Sequence, residues 1–196
     1  MRDPTTDADP SSICASFHAH VYDLTGAATH MIASDFQFRA ANAVDVPTLA
    51  QLHVTTFVET HGGPGPTCAV RERQWSDAFA QHSDDWFCVV IAGPDGQLVG
   101  FAKGVPHQDV PGYTGELNKI YILRQYHRLG LGRRLLGETS RRFLANGISS
   151  MLLFGDAQNP SNGFYERMGA ERLFAANGDF HGGYGWRDIR TLANYY

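Results

Sequence analysis

The 196-residue chain carries 16 Lys and Arg against 20 Asp and Glu, a formal net charge of −4, with 43% hydrophobic and 18% charged residues. That balance suits one ordinary domain with a proper core and argues against a general nucleic-acid binder. Three cysteines, Cys14, Cys68 and Cys88, stand at no metal-like spacing. They read as free thiols in a reducing, cytoplasmic setting. The longest apolar runs, such as FCVVIAG and MLLF, are far too short to span a bilayer, and the first residues lack the apolar stretch of a secretory signal.

Residues 1–33 show no sustained period and are expected to be a disordered or loosely docked extension, with Met31 as an alternative start. Residues 34–196 are expected to form a single domain. FQFRA alternates as an opening strand. Asp45 reads as an N-cap with Pro47 in the first turn of a helix carrying Leu49, Leu52, Thr56 and Phe57. HGGPGPT breaks that helix, and Thr67 caps a second, carrying Val70, Trp75 and Phe79, to about His82. WFCVVIAG and QLVGFAKGV flank Pro94-Asp95-Gly96 as a hairpin. GELNKIYIL is the next strand. A helix over 130–146 shows Leu131, Leu135, Thr139 and Phe143 on one face and ends at Asn146-Gly147. SSMLLFG suits a strand buried on both faces. PSNGFYERMG is a short helix, and ERLFAANG with YGWRDIR closes the chain as an antiparallel pair. The expected class is α/β, a mixed sheet with helices on its faces, with Trp75, Trp86 and Trp186 in the core.

One stretch points to chemistry. YHRLGLGRRLL sets Gly130 and Gly132 behind a basic run at a helix start. A helix N-terminus presents unpaired N–H groups and about half a positive charge, so it attracts anions. The N–H groups of Leu129, Gly130, Leu131, Gly132 and Arg133 can converge on a pyrophosphate, with Arg128, Arg133 and Arg134 adding positive potential. No Gly-Lys-Ser/Thr follows, so this is no Walker A loop. A dinucleotide fingerprint fits poorly: Leu135 stands at its third glycine, and six residues separate the strand from Gly130.

ELNKIYILRQYHRLGLGRRLL and NPSNGFYERMGAER together resemble the GNAT superfamily of N-acetyltransferases. The first matches its acetyl-CoA motif, a strand followed by Gln/Arg-x-x-Gly-x-Gly/Ala. The second matches its Asn-x-x-small-x-x-Phe-Tyr-Glu-x-x-Gly pattern. Order and separation agree, and the layout runs from near Phe36 to the YGW strand, about the last four-fifths of the chain. The resemblance implies the GNAT fold: a mixed, mostly antiparallel sheet with helices on both faces and a splay between the fourth and fifth strands. The motif's Gln/Arg is His127 here, a residue that also donates to phosphate.

The implied reaction moves an acetyl group from acetyl-CoA, as co-substrate and without a metal, to a primary amine. A small molecule or polyamine is expected more than a protein. The amine must lose a proton and the departing sulfur must gain one. Tyr165 is the expected general acid. Glu116 is the base, acting through water as in many relatives. An ordinary surface carboxylate is an equal reading of Glu116. Glu59, Asp84, Asp85 and His107 are the other bases weighed. Alternation puts Glu116 on one face with Asn118, Ile120 and Ile122. Ile120, Tyr121 and Ile122 offer backbone groups to the pantetheine arm, and the Ile122 N–H to the thioester carbonyl. By resemblance Asn159 contacts the cofactor chain; a simple N-cap is its other reading. The acceptor side falls to the first two helices, where Glu59, His61, Arg71 and Arg73 are candidates. The expected partner is the amine, with neither nucleic acid nor membrane, and a homodimer is allowed. A non-catalytic acetyl-CoA-binding regulatory module is the competing function.

Overall fold

The sheet has seven strands in the order β1-β2-β3-β4-β5-β7-β6. The computed structural model describes residues 31–81, 83 and 85–196. The expectations for residues 1–30, including Cys14, and for His82 and Asp84 lie outside the described residues. The elements are β1 Gln37–Ala40, α1 Val46–His61, α2 Cys68–Ala80, β2 Phe87–Ala92, β3 Leu98–Pro106, β4 Gly115–Ile122, α3 Leu131–Ala145, β5 Met151–Phe154, α4 Asn162–Arg167, β6 Glu171–Phe174 and β7 Phe180–Trp186.

Strands β1 to β4 form an antiparallel meander. The chain then crosses over through α3, and β5 runs parallel to β4. Helices α1 and α2 cover one face, where His53 and Trp75 meet Phe101 of β3. Helix α3 covers the other, where the Phe143 ring meets Phe87. Leu131, Leu135, Thr139 and Phe143 are all buried, so the helical period read from the sequence marks the packed face. The C-terminal turn Leu192–Asn194 packs against α3. A Cβ on Gly137, in mid-helix, would collide with the Tyr195 carbonyl oxygen, which explains a residue otherwise unfavourable there.

Several local expectations are corrected. Asp45 occupies the N-cap of α1 but makes no capping bond. Its carboxylate takes a two-pronged bond from Arg39 at 2.7 Å, which holds the Asp45 carboxyl below its usual range. Thr67 does cap α2, accepting from the Val70 N–H at 3.4 Å. Val70 itself is exposed, however, and Arg71 takes the inward position. On α1, Phe57 is only half-buried, and His53 fills the core position instead. Trp75 and Trp186 are core, while Trp86 is half-buried. The last strand begins at Phe180 and ends at Trp186, and it slots between β5 and β6. Past Trp186, Asp188 turns the chain by accepting from the Arg190 N–H.

Candidate active site

The site begins where β4 and β5 part. They pair only at Gly115 with Met151 and Glu116 with Leu152. The Thr114 N–H bonds the Ser150 hydroxyl and the Gly115 N–H bonds the Ser150 carbonyl, pinning the closed end. Beyond Glu116 the strands diverge, giving the splay expected between the fourth and fifth strands. The Leu123 N–H donates to the Val99 carbonyl. Antiparallel alternation therefore turns the Ile122 and Ile120 backbone groups away from β3, to the open edge.

That edge lines a cleft of about 670 Å³. Of the sequence-derived candidates, Ile120, Tyr121, Ile122, His127, Arg128, Gly130, Gly132, Arg133 and Tyr165 line it. Leu131 does not: its side chain is buried in the core. Leu129 packs half-buried against the core. Asn159 lies next to the lining residues Pro160 and Ser161, and its side chain accepts from the Ser161 N–H at 2.8 Å. That geometry is a local turn ahead of α4, whose N-cap is Ser161, so the N-cap reading of Asn159 is corrected.

At one wall stands the start of α3. Its N-cap is Gly130 at φ +81°, with no side chain capping the helix. The Arg134 N–H donates to the Gly130 carbonyl, so the Leu131, Gly132 and Arg133 N–H groups precede the helical ladder. Among the described residues Arg128 is the one non-glycine with positive φ, +66°. That conformation costs roughly 1–2 kcal/mol, and such strain collects at ligand-binding loops. A Cβ built on Gly132 would stand 3.4 Å from the Phe164 ring of α4, inside the gap between the two helices. The glycine leaves only a methyl-sized gap there, and it is the free N–H groups of the helix start beside it that suit a diphosphate.

His127 takes a more defined part than the sequence suggested. Its Nε2 lies 2.8 Å from the Ile122 carbonyl oxygen. A carbonyl only accepts, so Nε2 carries the proton and is occupied by the backbone. His127 ties the loop to the end of β4 instead of offering that nitrogen to phosphate. The reading of the sequence also missed Arg124. Its N–H donates to the Glu59 carboxylate at 2.9 Å and its guanidinium to the Glu59 carbonyl, clasping the end of α1 to the cleft. Glu59 and Thr60 line the cleft with Arg124, as do Arg167 and Met168 of the opposite wall. The basic run was visible, but nothing local marks a contact across 65 positions.

Tyr165 lies 8% exposed among Phe164, Tyr184 and Trp186, with ring centroids 5.4, 5.6 and 6.4 Å away. Burial, with Tyr121 and Tyr184 nearby, pushes its phenol well above the ordinary range, so it stays protonated.

Glu116 is not among the residues lining this cleft. Its Oε2 sits 3.4 Å from His107 Nδ1, and its Oε1 accepts from Asn118 at 2.7 Å. His107 Nε2 accepts from the Val110 N–H at 3.1 Å, so a neutral His107 presents its proton at Nδ1, toward Glu116. The predicted face of Glu116 is corrected by a bulge. Lys103 pairs with Lys119 but Gly104 pairs with Leu117, leaving Asn118 as an extra residue of β4. Alternation resets there. Glu116 shares the α1–α2 face with Lys119 and Tyr121, whose ring lies 5.5 Å from His53. Ile120 and Ile122 turn to the α3 face, where Ile122 approaches Gly132.

Comparison with known proteins decides the family. The family model described as "Acetyltransferase (GNAT) family" matches residues 47–170. The chain belongs to the GNAT acetyltransferases. It is 30% identical over 167 residues to an uncharacterized N-acetyltransferase, YuaI, of Bacillus subtilis (strain 168), across 79% of this chain and 94% of that one. Its fold is similar to that of the PaiA N-acetyltransferase of Thermoplasma acidophilum in complex with coenzyme A. The TM-score is 0.62 at 19% identity, over 76% of this chain and 97% of that one. It is also similar to the ribosomal-protein-S5-alanine acetyltransferase of Vibrio fischeri. There the TM-score is 0.60 at 16% identity, over 77% and 91%. This GNAT protein is therefore an acyltransferase. Among its described residues no helix is long and apolar enough to cross a membrane.

Proposed function

We propose that the protein transfers an acetyl group from acetyl-CoA to the primary amine of a small molecule. The observation that carries this reading is the uncapped start of α3 beside the empty side-chain position of Gly132, with Tyr165 in the same cleft. The diphosphate of the co-substrate would sit on the Leu131, Gly132 and Arg133 N–H groups, each charge-assisted bond contributing roughly 1.5–3 kcal/mol. The pantetheine arm would follow the open edge of β4, adding strand-like bonds to Ile120.

The acceptor amine arrives protonated and must first give up a proton, which Glu116 takes through water. Asn118 and His107 hold that carboxylate in place. The amine nitrogen then attacks the thioester carbon. The carbonyl oxygen gathers charge and receives a hydrogen bond from the Ile122 N–H. As the carbon–sulfur bond breaks, the sulfur takes the bond pair and the Tyr165 hydroxyl donates to it.

The test is release of free CoA thiol from acetyl-CoA across a panel of small amines. Acetyl-CoA-dependent release with at least one amine is the expected result. Tight acetyl-CoA binding without release to any amine would favour the regulatory module and overturn the enzymatic reading.

A further inference from the structure

We propose that the acceptor is a small amine that also bears an oxyanion, held by Arg71, Lys103 and Lys119 on the α1–α2 face of the sheet. The proposal rests on the acetyltransferase reading above and narrows its substrate class.

Lys103 and Lys119 are directly opposed on β3 and β4. Like charges in that position repel, so such a pair destabilises a sheet unless something offsets it. Lys103 Nζ is held 5.6 Å from the Trp75 ring centroid and 4.8 Å from that of Trp86. Lys119 Nζ donates to Asn118 at 2.8 Å, a neutral partner. Arg71 is only 9% exposed; it donates to Gln74 at 3.0 Å, while its buried Nε has no acceptor. Among the described residues none of the three cations has a carboxylate within ion-pair distance.

The cations also press on their surroundings. Burial lowers the pKa of Lys119 most, and the charges of Lys103 and Arg71 lower it further against the opposing pull of Glu116. His53, 2% exposed with its Nδ1 unpaired, is held neutral by burial and by all three cations. The repulsion is therefore shared across α1, α2, β3 and β4, and an oxyanion is the group that relieves it. Lys119 stands two residues from the cleft-lining Tyr121 and on the same face as Glu116. An anion there leaves its amine within reach of both. A polyamine brings only further positive charge, which sets it against this face.

The test compares acceptors with and without an anion: alanine and methionine, each with its α-carboxamide, then 2-aminoethylphosphonate against ethanolamine, with spermidine as the polyamine. KM is read from CoA release, and Kd from calorimetry on CoA-saturated protein. An acid should bind at least tenfold more tightly than its amide. The phosphonate arm separates a carboxylate preference from one for any oxyanion. Arg71→Gln and Lys119→Gln should bring acid and amide within about twofold, and Lys119→Arg should restore the preference. Equal affinity for acid and amide, preference for spermidine, no binding of any anionic amine, or variants that weaken both partners alike would overturn the proposal. Turnover of an amide in that case leaves the acetyltransferase reading standing. Loss of acetyl-CoA binding altogether would strike that reading instead.

Discussion

Gly132 of α3 faces the Phe164 ring of α4 across the cleft, and a Cβ on the glycine would stand 3.4 Å from the ring and 3.8 Å from Ile122. At that distance an alanine fits as an ordinary contact, so Gly132→Ala should not unfold the protein. It should stabilise the helix by up to about 1 kcal/mol. The motif that this stretch resembles carries glycine or alanine at this position, so the Kd for acetyl-CoA should stay within about twofold. Gly132→Leu should abolish binding. Thermal melting and calorimetry read the two effects separately: alanine should raise the melting temperature and keep binding, whereas leucine should lose binding.

Much of this wall was legible in the sequence because its signals are local. Leu131, Leu135, Thr139 and Phe143 mark the buried stripe of α3, and Gly130 supplies the positive φ of its N-cap. What escaped depends on distant partners. No neighbour of Asn118 announces a bulge, which comes from how β4 registers on β3. Asp45 reads as a cap until Arg39, six positions back, claims its carboxylate. The clasp between Arg124 and Glu59 and the burial of His53 follow from the helix–sheet packing alone.

Tyr165→Phe removes one hydroxyl from a ring whose packing on Phe164, Tyr184 and Trp186 is otherwise kept. Turnover should fall by about 10²–10⁴-fold, the typical contribution of an acid–base group. The Kd for acetyl-CoA should stay within about twofold. Glu116→Gln should lower kcat/KM for the amine with little change in the Kd for acetyl-CoA, since Glu116 lies outside the cleft proposed for the co-substrate.

His53 gives the fold a pH dependence. Burial first, then Arg71, Lys119 and Lys103, lowers its pKa from 6.5 to about 3. The unfolded chain binds the proton more readily. Stability is therefore full above pH 6.5 and is lost as pH falls from 6.5 toward about 3, by up to ~3–5 kcal/mol. Urea unfolding at pH 7.5, 6 and 5 should show the decline, and His53→Phe should flatten it.

The bond from His127 to the Ile122 carbonyl predicts a binding defect without a chemical one. His127→Ala removes a hydrogen bond of about 1 kcal/mol that sets the loop ahead of α3. The Kd for acetyl-CoA should rise roughly fivefold. Saturating turnover should change less than twofold, measured by steady-state kinetics over a range of acetyl-CoA.

The most direct measurement is a crystal structure with coenzyme A bound. The account predicts diphosphate oxygens at about 2.7–3.2 Å from the Gly132 and Arg133 N–H groups, with the sulfur beside the Tyr165 hydroxyl. Coenzyme A lodged elsewhere, or a diphosphate held only by side chains away from the start of α3, would contradict it.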